Sequence, residues 1–232
     1  SMLSVASERS LDPVTLEVLR QVDRVARELA LEYFVVGAMA RDILLNGVFG
    51  LYTGRATRDL DLAVAVDGWP QFEAIKARLV GTSAFNFDDR VVQRLYYCAA
   101  SAGRGNSLDL IPFGGVEQPE GEIAWPPDRS VVMNVAGYDE ALASAVPVEV
   151  EPGFPVRVAS LPGLAIMKLV AWTDRGTRDP RDAIDLGTLL WQYGAAGNEN
   201  RLYGTEIGVL EVVNYDFNIA GARLLGMDAG RI

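Results

Sequence analysis

A chain of 232 residues, half of them hydrophobic, can bury one large core or two smaller ones, and its scattered Gly and Pro exclude collagen-like and low-complexity classes. The formal net charge of −10 argues against a general attraction to phosphate backbones: a nucleic-acid substrate needs a local basic patch, and a cationic small molecule or basic protein suits the charge at least as well. With no histidine and a single cysteine, Cys98, the chain lacks Ser-His-Asp and Cys-His catalysis, the usual zinc sites and an internal disulfide.

Acid–base or metal chemistry must therefore rest on carboxylates, lysine, tyrosine or the backbone. Carboxylate oxygens are hard ligands and suit Mg²⁺ or Mn²⁺. No run of about 18 apolar residues is present, and the first residues lack the basic-then-apolar pattern of a signal peptide. Together with the lone cysteine, this gives a cytoplasmic protein as the simplest expectation.

In chain order, Asp12-Pro13 predicts a helix start, with Leu16, Leu19, Val22, Val25 and Leu29 at helical spacing up to about Leu31. Tyr33 to Val36 reads as a buried strand, Gly37 breaks it, and Met39 to Leu45 reads as a short helix. Residues 46–58, with Gly47, Gly50 and Gly54, read as a loop. Leu60 to Val66 is a strand, Trp69 to Val80 a helix, and Val91 to Cys98 and Leu108 to Phe113 two further strands. Gly114 to Arg129 reads as a loop, followed by short strands near Val131–Val135 and Val156–Val158. Helices are predicted at Leu161–Arg175, Pro180–Tyr193, Glu206–Val213 and Phe217–Leu225. Tyr96, Tyr97 and Trp172 read as core residues. The expected organisation is an α+β domain with a mixed sheet over residues 1–155 and a helical domain over 156–232 that completes a cleft.

Asp59-Leu60-Asp61 opens a strand, so the period of two sends both carboxylates to one face. Two carboxylates side by side repel unless a cation lies between them, which is what a divalent-metal site needs. The same pair also suits a solvated strand end. Asp109, in an otherwise largely apolar segment, becomes a third ligand if its strand pairs near Leu60–Val66; otherwise it is a buried acid in a local hydrogen-bond network. Three aspartates around metal are the working parts of phosphoryl transfer, with Asp109 also placed to accept a proton. Upstream, Gly37 and Ala38 join a strand to a helix and let backbone N–H groups approach phosphate, and Arg41 lies one turn on. An ordinary tight turn is the alternative there. Lys168, Ala171 and Arg175 share one helical face at i, i+3, i+7, a basic strip able to grip a triphosphate or an acceptor. Asp182 and Asp185 follow at i, i+3 on the next helix, to orient those cations or form a plain interhelical salt-bridge network.

Together these residues resemble the polymerase-β nucleotidyltransferase superfamily. Gly37-Ala38-Met39-Ala40-Arg41-Asp42 is similar to the corresponding turn of tRNA CCA-adding enzymes. The wider match resembles the AbiEii/AbiGii toxin-like family: Thr57-Arg58-Asp59-Leu60-Asp61-Leu62 resembles its metal motif. The segment from Leu161 to Lys168, continuing through Ala171, Arg175, Arg178-Asp179, Asp182 and Asp185, resembles its C-terminal signature. The resemblance spans about Val35 to Leu190. It departs at the turn, where many members carry Gly-Ser and a serine hydroxyl would meet phosphate.

The resemblance implies transfer of a nucleoside monophosphate from an NTP, with Mg²⁺ or Mn²⁺, to an acceptor such as tRNA or protein, under the restraint of an antitoxin. Metal would lie on Asp59, Asp61 and Asp109, and nucleotide on Gly37, Ala38, Arg41, Lys168, Arg175 and Asp182. The alternatives are a small-molecule nucleotidyltransferase of the aminoglycoside-modifying type and a non-catalytic member that only binds nucleotide.

Overall fold

The computed structural model describes residues 2–54, 57, 59–98, 106–176 and 179–232, with Arg175 described in its backbone alone. The strands are β1 (Leu3–Ser4), β2 (Tyr33–Val36), β3 (Leu60–Val66), β4 (Phe85–Phe87), β5 (Arg94–Tyr97), β6 (Ser107–Gly114), β7 (Glu122–Ala124), β8 (Val132–Asn134), β9 (Val146–Glu151) and β10 (Phe154–Val158). Among the described residues, eight of them form one mixed sheet in the order β1-β9-β10-β2-β3-β6-β5-β4, while β7 and β8 pair separately.

The centre of the sheet is apolar on both faces, as strands covered on both sides require. All four residues of β2 are buried, and in β3 and β6 the partly exposed positions include Asp61 and Asp109. The pattern of burial thus already marks the two acids. β2 runs antiparallel to β3, and β3 runs parallel to β6, with Asp61 directly opposite both Val36 and Asp109.

The helices are α1 (Pro13–Glu28), α2 (Gly37–Asp42), α3 (Trp69–Val80), α4 (Tyr138–Ala143), α5 (Leu161–Arg175), α6 (Arg181–Gln192), α7 (Glu199–Leu202), α8 (Ile207–Glu211) and α9 (Phe217–Ala229). α1 begins where expected: the Asp12 carboxylate accepts from the Val14 N–H at 2.8 Å, with proline at the first helical position. Its Val18, Leu19, Val22, Val25 and Ala26 form the buried stripe. α5 is capped in the same way by Ser160, whose hydroxyl accepts from Gly163 N–H at 3.1 Å.

α2 does not stop near Leu45 but continues as a π-helical turn over Ile43–Val48, where Phe49 N–H reaches Leu44 O at 3.0 Å. The apolar run Ile43-Leu44-Leu45 is buried, and packing keeps it helical past the point where Asn46 and Gly47 suggest a loop. The hairpin partner β9 and the edge strand β4 are absent from the sequence reading. Pro147 and Pro155 interrupt the strand pattern of the hairpin, and β4 is only three residues long. β7 and α4 lie in segments with no predicted element. β10 closes at Val158, so the sheet ends two residues before the Ser160 cap of the helical part. Tyr97 is buried as expected, whereas Trp172 lies 39% exposed on α5. The architecture is the expected α+β arrangement, a mixed sheet followed by helices.

Candidate active site

The sheet register builds one wall of the site. Because β3 and β6 are parallel and in register, Asp61 and Asp109 project to the same face from adjacent strands. Asp59 precedes Asp61 by two residues and faces the same cavity. Its Oδ1 accepts a hydrogen bond from the Ser107 hydroxyl at 2.7 Å, and its N–H donates to Thr57 Oγ1 at 3.2 Å.

Val36 closes β2 beside Asp61, so the glycine turn that follows lies against the carboxylate. Gly37 has φ +66°, a left-handed conformation that favours glycine, and a Cβ there would come within 2.3 Å of Asp61 Oδ2. Glycine is thus required twice at this position, by backbone and by space.

The helices build the opposite wall. Lys168, on α5, reaches Asp182 at 3.0 Å and Asp185 at 2.7 Å, both on α6. The two aspartates are each 3% exposed, and burying them is tolerable because they are paired. Arg41 approaches Asp185 from α2, forming an ion pair with it, and also binds Asp42 through Nε at 2.9 Å. It is 2% exposed and stands behind the cavity wall rather than on it. Asp42 in turn accepts from Thr57 N–H at 3.2 Å, tying the approach to Asp59 onto α2.

Between the walls lies a cavity of about 480 Å³. Gly37, Ala38, Asp59, Asp61, Asp109, Lys168, Ala171, Asp182 and Asp185 all line it. Residues more than 120 positions apart in the chain are thus brought together. Arg41 is the described exception, and the Arg175 side chain, Arg58 and Arg178 lie outside the described residues.

Burial, the repulsion of Asp109 and that of Asp59 push the Asp61 carboxyl from 3.8 up to about 6, against the opposing pull of Lys168 and Arg94. A desolvated acid among other acids is a site that a cation would relieve. The donors are oxygens alone and suit a hard divalent ion. Asp59 and Asp61 fit that role as they stand. Asp109 does not yet: Arg94 of β5 grips both its oxygens, Nε to Oδ1 at 2.7 Å and Nη2 to Oδ2 at 2.8 Å. Accordingly, among the described residues no group of three acidic or cysteine side chains is already drawn together around one metal position.

Arg94 escapes the sequence reading, as do Gln93 and Arg181 on the cavity lining. Arg94 looks like an ordinary polar residue of an alternating strand. Only the antiparallel register of β5 on β6 sets it opposite Asp109.

With this geometry in place, the family match is decisive. The family described as nucleotidyl transferase AbiEii toxin, Type IV TA system, matches residues 26–206. The chain belongs to that family. The match takes in the glycine turn, the three aspartates and the Lys168-to-Asp185 wall of this AbiEii-family nucleotidyltransferase. Solved structures also resemble the chain at low identity. The antibiotic-resistance factor ANT(2'')-Ia is 17% identical, with 88% of this chain and 99% of that one covered and a TM-score of 0.47. A nucleotidyltransferase-like antigenic protein from Paracoccidioides brasiliensis is 15% identical over 88% of this chain and 92% of that one, with a TM-score of 0.49. A CCA-adding enzyme is 13% identical over 98% of this chain, which spans only 54% of that enzyme, with a TM-score of 0.40. No curated protein matches the chain. Among the described residues, no helix is long and apolar enough to cross a membrane.

Proposed function

We propose that this chain transfers a nucleoside monophosphate from an NTP to an acceptor hydroxyl, releasing pyrophosphate, in the cavity between the sheet and α5–α6. The observation that carries this reading is the register of Asp61 with Asp109 beside Gly37, with Lys168 lining the same cavity. Asp59, Asp61 and Asp109 would hold Mg²⁺ or Mn²⁺, which when bound acidifies the attacking hydroxyl and neutralises the triphosphate. The backbone N–H groups of Gly37 and Ala38 bind phosphate oxygens. Lys168 supplies a cation to the triphosphate, oriented by Asp182 and Asp185. Arg41 supports that wall from behind through Asp185, and Arg175, by its spacing from Lys168 in the sequence, is the second cation proposed for the triphosphate. Asp109 accepts the acceptor proton.

The toxin–antitoxin description of the family supports an antitoxin that restrains the activity; the acceptor we propose is tRNA or protein. The experiment is incubation of the protein with each labelled NTP, Mg²⁺ and total tRNA or a protein extract, reading label incorporation and pyrophosphate. Label transfer that Asp61→Asn and EDTA both abolish is the expected result. No incorporation and no pyrophosphate with any NTP and acceptor overturns the reading.

A second reading has one observation in its favour. Among the described lining residues the acids Asp59, Asp61, Asp109, Asp179, Asp182 and Asp185 outnumber the cations Arg94, Lys168 and Arg181. That lining suits a polycationic small molecule. Transfer of label to an aminoglycoside-type polyamine and not to tRNA or protein would select it.

A further inference from the structure

Arg94 holds the third acid of the site by both of its oxygens, where a metal would also bind. Its two guanidinium nitrogens lie 2.7 and 2.8 Å from the two oxygens of Asp109, the bidentate fork that makes arginine–carboxylate pairs strong. Asp109 is 16% exposed and Arg94 33%, and both face the cavity. Asp61 lies directly opposite Asp109 on the parallel strand, so Arg94 sets a cation beside two facing carboxylates that repel each other. The guanidinium occupies the electrostatic place of a cation. The Arg94 side chain is only partly buried, so it can leave Asp109 and still be hydrated.

We propose that Arg94 is the resident counter-ion of Asp109, that it competes with the divalent metal for that carboxylate, and that its fork turns to the phosphates of bound NTP once the metal displaces it. The inference rests on the proposed metal role of Asp109. Arg94 acts on the metal through Asp109 and is in that respect a positioning residue. It reduces the excess negative charge of the acid cluster, and it couples metal entry to nucleotide capture, because one guanidinium serves the acid first and the phosphates second.

The test measures Mn²⁺ binding to the full chain by the loss of the free-ion EPR signal, with no nucleotide present, and separately the affinity for a non-hydrolysable NTP analogue in Mg²⁺. Arg94→Gln is expected to bind Mn²⁺ about tenfold tighter, since it removes a charge-assisted competitor, and to bind the analogue about tenfold weaker. Arg94→Lys keeps the charge and is expected to stay near wild type for Mn²⁺. Opposite signs in the two readouts cannot come from damage to the fold, which would weaken both. Asp109→Asn is expected to weaken Mn²⁺ binding. If it does so while Arg94→Gln leaves Mn²⁺ affinity unchanged or weaker, the competition is overturned and the ligand set survives. Should Arg94→Gln tighten Mn²⁺ but leave the analogue unaffected, the phosphate contact is overturned. If Asp109→Asn leaves Mn²⁺ binding untouched, the proposed ligand set fails, and the role of Arg94 fails with it.

Discussion

Gly37 and Asp61 share a volume that only a glycine leaves free. A Cβ at position 37 would lie 2.3 Å from Asp61 Oδ2, and the φ of +66° there is one that other residues resist. The phosphate turn and the acid cluster are therefore one packed unit. Gly37→Ala should strain the backbone by about 1–2 kcal/mol and push the Asp61 carboxylate out of place. Displacement of a reacting group by about 1 Å can cost about 100-fold in rate, and a loss of that order is expected, with a modest fall in Tm. Steady-state turnover and thermal melts check it, and a variant as active as wild type would show that the turn has room to yield.

The Asp61 carboxyl links stability to pH. Its value in the folded protein is about 6, against 3.8 ordinarily, so between these values the folded state holds a proton that the unfolded chain has lost. This group's stabilising contribution is complete below pH 3.8 and disappears as pH rises through about 6. The ceiling on the effect is about 3 kcal/mol. Metal-free protein should lose that stability over this window, and Mg²⁺ should restore it above the window but not below. Asp61→Asn should flatten the profile, raise metal-free stability at neutral pH and abolish transfer. Denaturant midpoints across pH, with and without Mg²⁺, read all three effects.

Asp185 serves two cations, Lys168 on α5 and Arg41 on α2. Asp185→Ala removes a buried carboxylate from between them and should destabilise the fold by about 3 kcal/mol, measured by urea unfolding. Lys168 retains Asp182 but loses its nearer anchor, so NTP affinity should fall as well. Unchanged stability would mean that the α2–α5–α6 tie is slack.

The Asp12 cap provides a contrast far from the site. Asp12→Ala should cost about 1 kcal/mol through the lost bond to Val14 N–H, with transfer activity unchanged. A change in activity here would show that α1 is coupled to the cleft.

Much of the fold was legible because its signals are local. Asp12-Pro13 marks the start of α1, helical spacing sets the bounds of α3 and α5, and the apolar runs at β2, β3 and β6 announce central strands. Where packing overrode local pattern, the reading failed: the π-helical turn after α2 follows from burial of Ile43-Leu44-Leu45, and the β9–β10 hairpin carries prolines that mask it.

The site divides in the same way. Residue type and spacing by themselves determined which chemistries were closed to this chain, since it has no histidine and one cysteine, and left Asp59 and Asp61 on one strand face open to two readings; Asp109, the lysine interrupting an apolar helix and the family resemblance turned them towards acid-based metal chemistry on phosphate. Spacing speaks for one element at a time, because side-chain periodicity is a property of a single helix or strand. The pairing of Asp61 with Asp109, the fork of Arg94 across β5 and β6, and the withdrawal of Arg41 behind the wall to hold Asp185 were decided by the tertiary structure. Each depends on strand register or interhelical packing between distant segments, and neither is encoded in any single window of the chain.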